Sequence, residues 1–279
     1  MAWIRLFLGA GLVALAPALA AQSDPHAAQP ERPTVATHSG TVAPGWLELE
    51  TGVEYDRLSD HTTAVVPTLL KLGLRKGWQL SLQIPLAAPD RFGIGLGDVS
   101  AGLKARVGGH FAILPSLKLP TGSEPSGRGT GTTDASLLVI WSQPLGRVGM
   151  DLNAGATFRT GDGSKAPRTA TLWTASFGGP VGGPVGWVLE CFGYPATTGP
   201  AGSASTIALL GGPTYRVKPW LVLDAGGIVR LAGPQPNALY AGLTWNLGRY
   251  LPQGRRRSPS PLSRLPAPNI EGLRTRSGR

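Results

Sequence analysis

The segment 147–159 shows the clearest pattern of apolar and polar positions in the chain. Its sequence is RVGMDLNAGATFR, in which every second residue from Val148 to Phe158 is apolar and the residues between are charged, polar or glycine. Successive side chains of a β-strand point to opposite faces, so the pattern predicts a strand with one apolar face. A helix would need apolar residues three and four positions apart, which this segment lacks. It is also longer than the usual soluble strand of about 5–6 residues and long enough for a membrane-crossing strand of roughly 9–11.

Segments of the same kind recur along the chain and predict an all-β fold. We expect about twelve strands, at 46–57, 62–75, 78–86, 97–108, 111–120, 133–143, 147–160, 169–178, 185–194, 205–217, 220–231 and 238–248. Short turns such as 76–77 and 218–219 alternate with longer polar links such as 121–132 and 195–204. Tight turns at one end and longer loops at the other are typical of outer-membrane barrels. The sequence therefore predicts an antiparallel transmembrane β-barrel with its tight turns on the periplasmic side.

Tryptophan supports this topology. Apart from Trp3, the chain has seven tryptophans, and six of them would lie at strand ends on the short-turn side: Trp46, Trp78, Trp141, Trp187, Trp220 and Trp245. Aromatic side chains gathered at one level are typical of the girdle at the lipid head groups. Trp173 is the exception.

The two ends of the chain differ from the predicted barrel at 46–248. Residues 1–20 combine a positive start, an apolar run and a small-residue end, which is typical of a cleaved signal peptide. Residues 21–45 lack any period and are predicted to be an irregular periplasmic lead-in. Residues 249–279 are rich in Pro, Ser and Arg and are predicted to be a disordered tail. The tail carries +7 of the net charge of +10, so the predicted barrel with its lead-in is nearly neutral.

Charged residues recur on the polar face of the predicted strands. A basic side chain facing lipid near the membrane centre costs roughly 2–4 kcal/mol, so these residues should face the lumen. The candidate lumen-lining residues are Glu48, Glu50, Glu54, Lys71, Arg75, Asp98, Lys104, Arg106, Lys118, Asp134, Asp151, Arg159, Glu190 and Asp224. They could line a water-filled pore, or pair across the lumen and plug it, since twelve strands lie between the filled and the open barrels. Lys104, Arg106 and Lys118 are expected on one stretch of wall, away from the glutamates of the first strand.

The sequence offers little for catalysis or cofactor binding. Residues 93–97 (GIGLG) precede a strand rather than a helix, and residues 127–133 (GRGTGTT) lack the lysine of a phosphate-binding loop. The four histidines show no metal-ligand spacing, and His61 beside Asp60 has no recognisable nucleophile or oxyanion hole nearby in sequence. We therefore expect no catalytic, cofactor-binding or metal-binding residues, and no nucleic-acid partner.

Several short motifs follow one another in an order that suggests a family. They are ERP at 31–33, TVAPGWLELE at 41–50, GLGDV at 95–99 with GLK shortly after it, LKLPTG at 117–122 and DLNAG at 151–155. Their succession resembles the outer-membrane proteins named for the meta-pathway of phenol degradation. The resemblance implies an outer-membrane barrel assigned to the uptake of aromatic or other hydrophobic compounds.

The resemblance runs from Glu31 to Gly248 and fails at the end of the chain. Barrel proteins usually finish on an aromatic residue in the last strand, whereas here Trp245-Asn246-Leu247 is followed by the basic tail.

Three functions remain open at this stage. The first is an outer-membrane channel of a Gram-negative bacterium that takes up small, hydrophobic or aromatic solutes by passive diffusion. The second is a plugged barrel with a structural or envelope-binding role, and the third is a barrel enzyme. In each case outer-membrane lipid surrounds the barrel, and the basic tail is expected to contact anionic envelope components.

Overall fold

The strands form one closed antiparallel sheet. The computed structural model describes residues 24–58, 61–89 and 93–252. Each strand pairs antiparallel with its neighbours, and the first strand also pairs with the last, which closes the sheet into a barrel. Closure leaves no open edge whose backbone groups would be unpaired in hydrocarbon. The predicted signal peptide and the tail beyond residue 252 lie outside the described residues.

The strands follow one another along the chain with one turn of 3-10 helix at Glu124–Ser126. Their bounds are β1 Trp46–Leu58, β2 His61–Val66, β3 Thr68–Arg75, β4 Trp78–Gln83, β5 Leu86–Pro89, β6 Gly95–Leu96, β7 Val99–Val107, β8 Phe111–Leu119, β9 Asp134–Leu145, β10 Val148–Arg159, β11 Thr169–Gly182, β12 Val185–Tyr194, β13 Thr206–Lys218, β14 Leu221–Ala232 and β15 Asn237–Arg249.

These fifteen segments form twelve strands around the barrel, because three of the barrel strands are each interrupted once and so appear as two segments. β2 and β3 both pair with β1 and are separated only by Pro67. β4 and β5 are separated at Ile84-Pro85, and β6 and β7 at Gly97-Asp98. Proline cannot donate to the ladder of hydrogen bonds, which explains the first two breaks. The predicted twelve-stranded antiparallel barrel is therefore confirmed.

The predicted strand ends are wrong in a few places. The sequence predicts a link between two strands at 87–96. In the structure, β5 extends the barrel strand beyond Pro85 by pairing with β2, and β6 pairs with β5. β11 runs on to Gly182, four residues beyond its expected end at 178, by pairing with the start of β12. The last strand includes Arg249, which pairs with Trp46, whereas the sequence predicts Arg249 to be the first residue of the tail.

The two ends of the barrel differ as the alternation of connections predicts. One end carries five tight turns, at 76–77, 108–110, 146–147, 183–184 and 219–220, and is called the short-turn end below. The other carries the longer connections, among them 120–133, 160–168 and 195–205, and is called the loop end. Trp220 and Trp245 lie together at the short-turn end with ring centroids 6.3 Å apart.

Side chains alternate between a lipid-facing exterior and a polar interior. The exposed large residues are mostly apolar and occupy one parity of each strand, as Leu137 and Val139 do on β9, while Asp134 and Ser142 on the other parity are buried. This is the alternation expected of a membrane barrel. No helix within the described residues has the length and apolar character needed to cross a membrane.

Candidate functional site: the plugged lumen

Residues 24–44, called the plug below, form a loop inserted into the barrel from the short-turn end. At its start, His26 Nε2 lies 3.1 Å from the carbonyl oxygen of Asn246, and its ring packs on Trp220. The chain returns to the same end, where the Gly45 amide donates to the Gly73 carbonyl at 2.7 Å. The sequence predicts an irregular lead-in, and the described part of it, residues 24–44, contains no helix or strand. Its assignment to the periplasmic side stays a prediction.

Two wall carboxylates each accept a pair of backbone amides from the plug. Glu50 on β1 accepts from the amides of Glu31 and Arg32 at 2.8 and 3.0 Å. Glu190 on β12 accepts from those of Val35 and Ala36 at 2.8 and 2.7 Å. Hydrogen bonds to an ionised acceptor are stronger than neutral ones, so these two forks hold the inner part of the loop firmly.

Neutral wall side chains bind the returning half of the plug in the same manner. Asn153 on β10 accepts from the Thr37 amide at 2.8 Å and donates to the Thr37 carbonyl at 3.0 Å. Gln79 on β4 accepts from the Val42 amide at 2.9 Å, and Ser142 on β9 accepts from the Ser39 amide at 2.7 Å. The wall therefore recognises mainly the backbone of the plug.

Two buried lysines join the plug to the wall through a charge cluster. Lys71 on β3 lies 2.7 Å from Glu48 and 2.5 Å from Glu50, and its ammonium also donates to the Gln29 carbonyl. Lys104 on β7 pairs with Glu31 of the plug. Both lysine side chains have no exposed surface. A buried charge is tolerated only when it is paired and hydrogen-bonded, so the cluster must form as a unit.

The same lysines set the ionisation of two plug residues. Burial alone would raise the pKa of Glu31, but the nearby ammonium groups of Lys104 and Lys71 outweigh it and hold this pKa well below its usual range. Burial, assisted by the charge of Lys104, lowers the pKa of His38 to about 4. At neutral pH, Glu31 is therefore an anion and His38 is neutral, and His38 Nδ1 accepts from the Gly40 amide at 3.0 Å.

Arg32 anchors the plug to the seam where the barrel closes. Its guanidinium lies 3.3 Å from Asp224 on β14 and rests on the inner face of β1 and β15. A Cβ atom at Gly52 or Gly242 would lie within 2.7 Å of the guanidinium nitrogens. Glycine at these two positions therefore makes the space that Arg32 occupies.

The plug divides the lumen into two cavities. The outer cavity, about 470 Å³, faces the loop end and is bounded by plug residues 31–37. The inner cavity, about 1060 Å³, faces the short-turn end and is bounded by plug residues 28–30 and 38–44. Wall residues Arg106 and Asp151 line the inner cavity, and Glu54 lines the outer one.

The outer cavity has a largely apolar wall on one side. Phe192, Leu210 and Ile228 point inward from three successive strands and line it, and they belong to a buried cluster completed by Ala208, Ala238 and Tyr240. Val35 of the plug packs against this cluster. Leu69, Leu114 and Leu138 line the cavity elsewhere. The outer cavity is therefore apolar on the side of β12, β13 and β14, whereas plug residues such as Glu31 and Arg32 make it polar on another side.

A second ion cluster lies towards the loop end, away from the plug. Lys118 on β8 is 3.0 Å from both Asp98 and Asp134, and Asp134 also pairs with Arg159 at 3.1 Å. Asp98 accepts from the Thr130 amide at 2.9 Å, which ties the 120–133 loop to the rim. This cluster fastens a loop to the wall.

The predicted lumen residues thus fall into separate groups. The plug contacts Glu48, Glu50, Lys71, Lys104, Glu190 and Asp224; the loop-end cluster holds Asp98, Lys118, Asp134 and Arg159; the two cavities hold Glu54, Arg106 and Asp151. Arg75 is exposed, and its guanidinium carbon lies 4.5 Å from the ring centre of Trp78.

The expected basic stretch of wall does not exist as a unit. Lys104 pairs with Glu31 of the plug, and Lys118 pairs with aspartates at the loop end of the barrel. Arg106 donates to the Gly109 carbonyl near the short-turn end. Each cation has its own acceptor, so the three do not combine into one positive surface.

Sequence reasoning missed the plug and its uncharged wall partners. Glu31, Arg32 and His38 lie in a segment without period, and Gln79 and Asn153 are uncharged residues on the inner parity. The one available signal was the ERP motif at 31–33, which stands out as charged in a mostly neutral lead-in. Among the described residues, no cluster of His, Cys, Asp and Glu is arranged to hold a metal ion.

Comparison with known families agrees with this architecture. The sequence pattern of the family described as "Putative MetA-pathway of phenol degradation" matches residues 31–246. The chain belongs to this family. The match starts within the plug, at Glu31, and ends in β15. No curated protein matches the sequence.

Two solved structures share the fold. An outer membrane channel from Pseudomonas putida F1 superposes with a TM-score of 0.61 at 13% identity, covering 74% of this chain and 97% of that one. The NanC porin superposes with a TM-score of 0.51 at 10% identity, covering 71% of this chain and 100% of the porin. The barrel fold therefore resembles that of outer-membrane channels.

Proposed function

We propose that this protein is an outer-membrane channel of a Gram-negative bacterium, through which small hydrophobic or aromatic solutes pass by passive diffusion. The loop end would face the outside and the short-turn end the periplasm, as in other barrels of this type. The plug would then be inserted from the periplasmic side, and a solute would enter the outer cavity first.

The observation that carries the proposal is the apolar wall of the outer cavity. A lumen built only to conduct water and ions has no need of Phe192, Leu210 and Ile228 on its inner face, where polar residues are usual. Pockets that bind small organic molecules are lined mainly by apolar and aromatic side chains with a few polar groups. Arg32 and Glu54 supply such polar groups in the outer cavity.

The experiment measures the uptake of toluene into vesicles with lipopolysaccharide in the outer leaflet, which slows diffusion through the lipid itself. We expect the wild-type protein to speed uptake and L210N to be several-fold slower, because an amide in the apolar wall disfavours the solute. L210M, which keeps the wall apolar, is the matched control. Equal uptake by L210N and L210M would contradict a hydrophobic route through this cavity.

The second candidate is a plugged barrel with a structural or envelope-binding role. The observation in its favour is the buried cluster of Glu31, Lys71 and Lys104, which ties the plug to two strands. The basic tail would contact anionic lipid head groups on the periplasmic side, through arginines such as Arg255, Arg256 and Arg257. Absence of any wild-type uptake, with correctly folded protein, would favour this candidate. A barrel enzyme gains no support from the two similar structures.

A further inference from the structure

Lys104 lies at the boundary between the two cavities. Along the inner face of β7, Ser100 and Gly102 line the outer cavity, Lys104 contacts the plug, and Arg106 lines the inner cavity. The same order holds on β9, where Leu138 lines the outer cavity, Ser142 lines the inner one, and Ile140 between them is fully buried. The level of Lys104 is therefore the level at which the lumen is closed.

The Lys104 ammonium ties together both halves of the plug loop. It pairs with Glu31 on the half that enters, and it donates to Thr37 Oγ1 at 2.7 Å and to the His38 carbonyl at 3.0 Å on the half that returns. These plug residues also mark the change from the outer to the inner cavity. The side chain of Lys104 thus connects the entering half of the plug to the returning half.

The wall beside this contact carries mostly small side chains. Gly102 on β7, and Ala112 and Ser116 on β8, occupy neighbouring inward positions. Leu114 on β8, which lies between Ala112 and Ser116 and lines the outer cavity, is a large apolar exception. The charge that closes the lumen on this side comes from Lys104 and from its partner Glu31.

We propose that the Lys104–Glu31 ion pair is the gate of the channel: when it breaks, the plug moves away from β7 and the two cavities become one path. This inference rests on the proposed channel function and assigns its regulation to one contact. The other plug contacts hold the plug to other strands of the wall and keep it in the barrel while the gate opens; they are at Glu50, Gln79, Ser142, Asn153, Glu190 and Asp224.

The test is single-channel recording of the mature, full-length protein in planar lipid bilayers. K104M removes the ammonium while keeping an unbranched side chain, and E31Q breaks the same pair from the plug without altering the wall. We expect both variants to raise the mean current several-fold over wild type. K118M makes the same substitution in the loop-end cluster, which does not touch the plug, and should leave the current at the wild-type level.

The outcomes separate the gate from the channel. If K104M and E31Q conduct exactly as wild type and K118M do, the gate is elsewhere and the channel proposal stands. If none of the four proteins conducts or takes up solute although each shows the heat-dependent gel migration of a folded barrel, the channel proposal itself is wrong. If K118M opens the channel as strongly as K104M, the effect comes from general loss of lumen charge, and the gate proposal is overturned.

Discussion

At the scale of single residues, His38 couples the plug to pH. Its pKa in the seated plug is about 4, below the ordinary value of 6.5, because of burial first and of the Lys104 charge second. When the plug leaves the lumen, we expect the pKa of His38 to return to its ordinary value. Between pH 4 and pH 6.5, a released plug therefore binds more protons than a seated plug, which is one bound in the lumen. The contribution of His38 to seating is complete above about pH 6.5 and is lost as the pH falls towards 4.

We therefore predict that acid opens the channel. The mean current of wild type should rise between pH 7 and pH 5, because a protonated His38 cannot accept from the Gly40 amide and is repelled by Lys104. Glu31 stays ionised through this window, since its pKa lies well below its usual range. H38Q should flatten the response, whereas H110Q, a change in a turn outside the plug, should keep it. A full acid response in H38Q would show that another group carries it.

At the scale of elements, the plug is held through its backbone. We predict that E190Q loosens its tip, because a neutral amide replaces the carboxylate that accepts from the amides of Val35 and Ala36. A hydrogen bond to a charged group contributes about 1.5–3 kcal/mol, so amide exchange there should speed up by about tenfold to a hundredfold. Hydrogen–deuterium exchange over residues 29–43 measures this. T41A, which trims a plug side chain at the inner cavity, should leave exchange unchanged; equal acceleration in both variants would contradict backbone anchoring.

This mode of binding explains why the sequence revealed the barrel but not the plug. Because alternate side chains of a barrel strand are buried, most of the strands show an alternating pattern of apolar and polar residues in the sequence. The inward position of Glu50 and Glu190 follows from this alternation alone. The plug has no period, because the wall binds it mainly through its amides, which every sequence carries. The side chains of Glu31, Arg32 and Val35 that also contact the wall follow no regular spacing. The breaks at Pro67 and Pro85 were visible as prolines, but the pairing of β5 with β2 beyond them depends on tertiary contacts.

At the scale of the whole molecule, the charges are sorted between the lumen and the tail. Around the plug and the two cavities, the wall carries six carboxylates and four cations: Glu48, Glu50, Glu54, Asp151, Glu190 and Asp224 against Lys71, Lys76, Lys104 and Arg106. At the loop end, Asp98 and Asp134 are balanced by Lys118 and Arg159. With the plug seated, its amides satisfy several of the wall carboxylates. With the plug withdrawn, the same carboxylates would face water.

The open channel should therefore prefer cations. A ring of carboxylates in a narrow aqueous lumen concentrates cations and repels anions. We predict that K104M, recorded under a potassium chloride gradient, shows a reversal potential shifted towards that of potassium. Adding E54Q, which removes a carboxylate from the outer cavity, should reduce the shift without closing the channel. L69M, a neutral change on the same cavity wall, is the control. A reversal potential near that of chloride would show that ions avoid the carboxylate-lined part of the lumen, and that the conducting path lies elsewhere in the barrel.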